Sequence, residues 1–148
     1  MNERNTFESS VSLGHFGVLE GHQYASLSTF RKDGTAVATP VWFAANGGKL
    51  YVTTVDGTGK VKRIRNNSSV TLAPCDRRGR LLGEAVEGRA RLISTRATQE
   101  NRYADRALAG KYGLQYRAFG ALRNVVAKKR ERVFIEISPP DAPGDPNE

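Results

Sequence analysis

Alternation of apolar and polar side chains dominates the first two thirds of the chain. From Tyr24 to Arg31, Ala25, Leu27, Thr29 and Arg31 oppose Tyr24, Ser26, Ser28 and Phe30, the period of a β-strand. Lys32-Asp33-Gly34 follows with turn chemistry, because glycine takes positive φ without a Cβ clash. Thr35 to Ala45 returns as a second strand carrying Val37, Val41, Trp42 and Phe43. Pro40 lies within it and has no N–H to donate, which predicts an edge position or a bulge at that point. Trp42 and Phe43 are consecutive, so they must face opposite sides of the strand. Asn46-Gly47-Gly48 predicts a hairpin into a third strand over Leu50 to Thr54.

A short helix is expected to start near Gly59, and Ser69 to Cys75 reads as a fourth strand, ended by the charged turn Asp76 to Arg80. From Ala85 to Ile93, Val86, Gly88, Ala90 and Leu92 alternate cleanly with Glu87, Arg89 and Arg91. The period then lengthens. Tyr103, Ala107, Leu108 and Tyr112 stack at helical spacing over Thr95 to Tyr112, with Gly113 as the C-terminal cap. A second helical stretch is expected over Tyr116 to Lys129, with Phe119, Leu122 and Val126 on one stripe. Arg132 to Ile137 closes the set as a last strand, and the proline-rich residues 138–148 are expected to form a disordered tail. Six antiparallel strands joined by hairpins, with one short helix after the third and a helical pair before the last, predict a mainly β protein: a single β-barrel domain over residues 1–137 with flanking helices.

Charge adds a partner class to this outline. The 148 residues carry 23 Lys and Arg against 15 Asp and Glu, a net charge of +8 that draws anionic partners. No apolar run approaches the roughly 18 residues that span a bilayer, and residues 1–10 lack a signal-peptide core, so a soluble, cytoplasmic protein is expected. Cys75 is the only cysteine, which excludes an internal disulfide and zinc sites built on cysteine pairs. His15 and His22 have no carboxylate or cysteine at ligand spacing, so no metal site is expected. The chain lacks the GxSxG signature of serine hydrolases.

The chemically distinctive stretch is LYVTTVDGTGKVKRIRNN at 50–67, where a β-run stops at a glycine loop and Lys60, Lys62, Arg63 and Arg65 follow at once. A helix beginning there would aim its unpaired N–H groups and positive dipole end at the loop, with Lys60 adding a full charge. Such a junction suits a phosphate. On charge alone the same cations read better as a solvated basic face, and it is Gly57 and Gly59 just before them that shift the balance toward an anion site. A Walker loop is excluded, because Lys60 is followed by Val61 rather than Ser or Thr.

The succession ATPVWFA at 38–44, LYVTT at 50–54, GKVKRIRNN at 59–67, VTLAPCDRRGR at 70–80 and VEGRARL at 86–92 resembles the pyridoxamine-phosphate-oxidase-like split β-barrel superfamily. Within it, the chain is most similar to the branch of coenzyme F420-dependent oxidoreductases. The resemblance implies a homodimer with flavin-like cofactors in grooves at the subunit interface. It implies hydride transfer from reduced F420 to an unsaturated or electron-poor small molecule, with FMN as the alternative cofactor. By position, it puts Thr53, Thr54, Lys60 and Arg63 around the cofactor phosphate, and the backbone of Pro40, Val41 and Trp42 along the tricyclic ring. Asp76 and Arg77 match the loop near the ring or tail, and Asn66 approximates the asparagine that follows the basic helix. It assigns no catalytic side chain. A non-enzymatic cofactor carrier or a nucleic-acid-binding basic protein is the reading from a different class; the weak interleaving of aromatics among the cations counts against nucleic acid.

Overall fold

Six strands close into one antiparallel barrel in the order β1-β2-β3-β6-β5-β4 in a computed structural model that describes residues 14–118 and 132–140. The strands are β1 (Tyr24–Phe30), β2 (Ala36–Asn46), β3 (Lys49–Val55), β4 (Ser69–Cys75), β5 (Val86–Leu92) and β6 (Arg132–Ser138). Helices α1 (Gly59–Asn66), between β3 and β4, and α2 (Thr98–Tyr112), between β5 and β6, accompany them; residues 114–118 are helical too, and a 3-10 segment, Gly14–Leu19, precedes β1.

The inward-facing alternate residues fill the barrel. Ala25 and Leu27, Val41 and Phe43, Leu50 and Val52, Val70 and Leu72, Ala90, and Ile135 and Ile137 form one buried cluster, joined by Phe16 and Leu19 of the 3-10 segment and Ile64 of α1. Each fully buried leucine or isoleucine here contributes on the order of 1.5–3 kcal/mol. At Gly88 the interior has no room for a side chain, because an added Cβ would stand 2.7 Å from Ile137 Cγ2.

A second layer lies outside the barrel. Ala44, Tyr51, Ile93 and Phe134 on the outer face of the sheet meet Ala104, Leu108 and Tyr112 of α2 and Tyr116 beyond it. The buried stripe of α2 therefore passes through Ala104 rather than Tyr103, which is 44% exposed and lies edge-on to Tyr51. The helix also starts later than the sequence suggests, at Thr98, because Ala97 N–H first closes a turn onto Ser94 O. Gly113 ends it with φ of 61°, a conformation that costs glycine nothing.

β2 changes partner midway. Its residues from Ala36 to Trp42 pair only with β1, and those from Phe43 to Asn46 pair only with β3. Pro40 sits in the half that β3 does not reach, so its missing N–H breaks no ladder on that side and the expected edge position is met. At the changeover, Phe43 N–H donates to the Tyr112 hydroxyl at 2.9 Å, and that hydroxyl lies 2.8 Å from Phe43 O and 2.7 Å from Gln23 O. One phenol of α2 thus closes the place where β1 has run out. Ser138, expected in the tail, belongs to β6. Phe119, Leu122 and Val126 of the expected second helix, and the tail from 141 on, lie outside the described residues.

Candidate functional site at the α1 end of the barrel

Thr58 is the N-cap of α1, extended at φ −74° and ψ 161°, and its side chain makes no capping hydrogen bond. Its Oγ1 is buried and has no hydrogen-bond partner in the structure. The first turn of the helix contains no acidic residue, so nothing on the helix itself offsets its positive end. Asp56, two residues before the cap, has its Oδ1 engaged by Gly57 N–H at 2.9 Å and by Arg65 at 3.3 Å.

Two cations of α1 reach back to inward-facing threonines at this end of the barrel. Arg63 Nε donates to Thr29 Oγ1 at 2.6 Å, and Lys60 Nζ stands 3.5 Å from Thr54 Oγ1, the outer edge of hydrogen-bond reach. Thr29 and Thr54 are both buried. The Arg63 guanidinium lies folded against Gly59, where a Cβ would come within 2.6 Å of its NH1. Gly59 therefore serves to admit that arginine. Among the described residues no carboxylate pairs with Arg63. The arrangement gathers a buried hydroxyl, a helix N-terminus, the Lys60 ammonium and an Arg63 guanidinium that no described carboxylate pairs, which is chemistry for an anion.

The structure parts the two threonines that the sequence pairs. Thr53 faces the opposite side of β3, where its hydroxyl accepts from Arg132 Nε at 2.9 Å. Asn66 is the last residue of α1, roughly 10 Å along the helix axis from Gly59, and is exposed. Its neighbour Asn67 performs the local task, accepting from Ser69 N–H at 3.0 Å.

Pro40 and the Asp76–Arg80 loop are brought together, since a Cβ at Gly79 would lie 3.9 Å from the Pro40 ring. The Asp76 carboxylate shapes that loop, with Oδ1 accepting from the N–H groups of Arg78 and Arg80 at 2.9 Å each. Those backbone hydrogen bonds, that of Arg80 foremost, hold its pKa below the usual carboxylate value. Arg77 is exposed on the same loop. Val41 turns into the barrel interior, while Trp42 points outward and stacks on Tyr112 with centroids 4.6 Å apart and planes 12° from parallel. The backbone of this stretch and the exposed Pro40 ring are therefore left to meet a ligand ring. Cys75 is a buried thiol, its pKa pushed up by desolvation, and serves as packing.

Thr29 and Tyr112 were not singled out by the sequence. A threonine on the inward face of an otherwise apolar strand is a weak signal for the first; Tyr112 carries only its helical spacing.

Comparison with known proteins adds independent findings. A family model described as pyridoxamine 5'-phosphate oxidase matches residues 15–142. A conserved hypothetical protein from Mycobacterium tuberculosis superposes with a TM-score of 0.60 at 19% identity, over 83% of this chain and 76% of that one. An FAD-binding protein from Mesorhizobium loti gives 0.56 at 18% identity over 84% of both chains. A protein named F420 reductase gives 0.50 at 21% identity, over 85% of this chain and 93% of that one. At such identities these likenesses speak to the fold. No curated protein matches the sequence. No helix among the described residues is long and apolar enough to cross a membrane.

Proposed function

The chain belongs to the pyridoxamine 5'-phosphate oxidase family, and from that premise we propose that it is an oxidoreductase using coenzyme F420 to reduce an unsaturated or electron-poor small molecule. The observation that carries this reading is the buried Thr58 hydroxyl at the N-terminus of α1, without a hydrogen-bond partner among the described residues, beside an Arg63 guanidinium that only neutral Thr29 holds. A cofactor phosphate fits that donor set, with Thr54, Lys60 and Arg63 as its holders and Thr29 fixing the guanidinium. The backbone from Pro40 to Trp42, unpaired with β3, is available to lie along a flat ring, with the Asp76–Arg77 loop beside it.

When bound, the deazaflavin supplies the hydride, so the chain needs to position and shield rather than attack. That accords with the lack of a nucleophile among the site residues. A second copy of the chain is the proposed partner, and the exposed Leu81 and Leu82, just past the Asp76–Arg80 loop, offer apolar surface for it.

FMN is the alternative, supported by the likeness to an FAD-binding protein and by the fact that either cofactor would present a phosphate to the same cations. Titration of the purified protein with F420 and with FMN tests the reading. F420 is expected to bind at micromolar levels and Lys60→Ala to weaken it by about 1.5–3 kcal/mol, the value of a charged hydrogen bond. Absence of F420 binding defeats the cofactor assignment, and a yellow protein with an oxidised-flavin spectrum transfers it to FMN.

A further inference from the structure

The part of β2 available to a ligand ring, Pro40 to Trp42, pairs with β1 along one edge and is unpaired with β3 along the other. A strand held on one side only has few restraints of its own, so the shape of its open edge depends on what fixes its ends. At the Phe43 end the last turn of α2 supplies the fixing. Tyr112 is 7% exposed, and its hydroxyl accepts from Phe43 N–H at 2.9 Å. The single proton of that hydroxyl serves Gln23 O at 2.7 Å or Phe43 O at 2.8 Å. The same phenol ring stacks on Trp42, with centroids 4.6 Å apart.

Lys111, one residue earlier, donates to His22 O at 2.8 Å and places Nζ 3.3 Å over the Phe43 ring. Two consecutive residues of one helix therefore grip Phe43 by backbone and ring, and Trp42 by its indole. Phe43 is the residue next to the open stretch, so a displacement of its amide is passed directly to the edge that faces the ligand. We propose that Tyr112 is a positioning residue for the cofactor ring: acting through Phe43 and Trp42, it sets the open edge of β2 in the shape that the ring meets. This rests on the cofactor reading and adds to it a residue on the far side of the strand. An edge fixed beforehand needs no rearrangement when the ring arrives, and that is where the affinity comes from.

Tyr112→Phe keeps the ring for the stack on Trp42 and removes the hydroxyl. Titrations of the full-length protein with F420, with the deazaflavin ring carrying its sugar chain but no phosphate, and with inorganic phosphate separate the ring end from the anion end. The variant is expected to weaken F420 and the phosphate-free deazaflavin about fivefold each, as the loss of one neutral hydrogen bond implies, and to leave phosphate affinity unchanged. The absorption maximum of the bound deazaflavin is expected to shift, which a loss of stability alone does not produce. Trp42→Ala, which removes the stack and leaves the hydroxyl, is expected to weaken the same two ligands and spare phosphate. FMN and riboflavin take the places of these two ligands where FMN is the cofactor. Ring and phosphate probes weakened alike, or ring probes unaffected in both variants, overturn the proposal and leave the cofactor reading standing. Wild-type protein that binds neither F420 nor FMN overturns both.

Discussion

Two arginines each grasp a threonine of the barrel wall, and their surroundings differ in one respect. Arg132 donates to Thr53 at 2.9 Å, stands 3.4 Å from the Asp105 carboxylate, and lies over the rings of Tyr116 and Phe134 at 4.8 and 5.0 Å. Arg63 donates to Thr29 at 2.6 Å, and no described carboxylate answers its charge. The first is a fastener between the sheet and α2. The second holds positive charge near a helix N-terminus beside the cation Lys60, with a neutral threonine as its described hydrogen-bond partner, which is unfavourable unless an anion from outside completes it. Uncompensated charge, rather than charge density, sets the proposed anion site apart from the scaffold in this chain.

Substitutions sharpen the contrast in order of size. Tyr112→Ala on the scaffold side removes the stack with Trp42 and orphans the amide of Phe43, and is expected to cost about 3–5 kcal/mol in urea unfolding. Arg63→Ala is expected to weaken cofactor binding by about 1.5–3 kcal/mol with the melting temperature nearly unchanged. Arg132→Ala should do the reverse, lowering stability and sparing affinity; if both variants lose affinity alike, the distinction fails. Gly59→Ala pushes a Cβ against Arg63 NH1, so affinity is expected to fall by about 1 kcal/mol while helix propensity holds stability level or raises it. A drop in stability without a change in affinity would remove Gly59 from the argument.

The smallest effect is a pH dependence. Lys111 Nζ donates to His22 O at 2.8 Å and sits 3.3 Å over the Phe43 ring, and burial draws its pKa from 10.5 to about 7. Between those values the unfolded chain keeps a proton that the folded one has released, so stability rises as pH climbs from about 7 toward 10. Much of the residue meets solvent, which keeps the gain small. Lys111→Met should flatten that slope in urea titrations across the range.

The barrel was legible because alternation alone assigned every strand to within a residue or two, and the basic helix because a glycine loop and a cation run meet there. The site was legible only in part. Thr53 and Thr54 are adjacent on a strand, so one side chain must leave the face that the other occupies, a consequence of the same alternation that identified the strand. The phase of α2 was misjudged because Tyr103 and Ala104 compete for the seam, and tertiary fit decided for the smaller residue. Tyr112 was hidden for a stronger reason: its hydroxyl serves a backbone 69 residues away, and no local pattern encodes such a reach.

That reach imposes an order of events on the nascent chain. The β2–β3 hairpin closes through near neighbours, whereas the last free amide and carbonyl of Phe43 wait until α2 has been made and docked. Sealing the seam spans 69 residues, so it carries a larger loop-closure cost than the near-neighbour pairs of the hairpin.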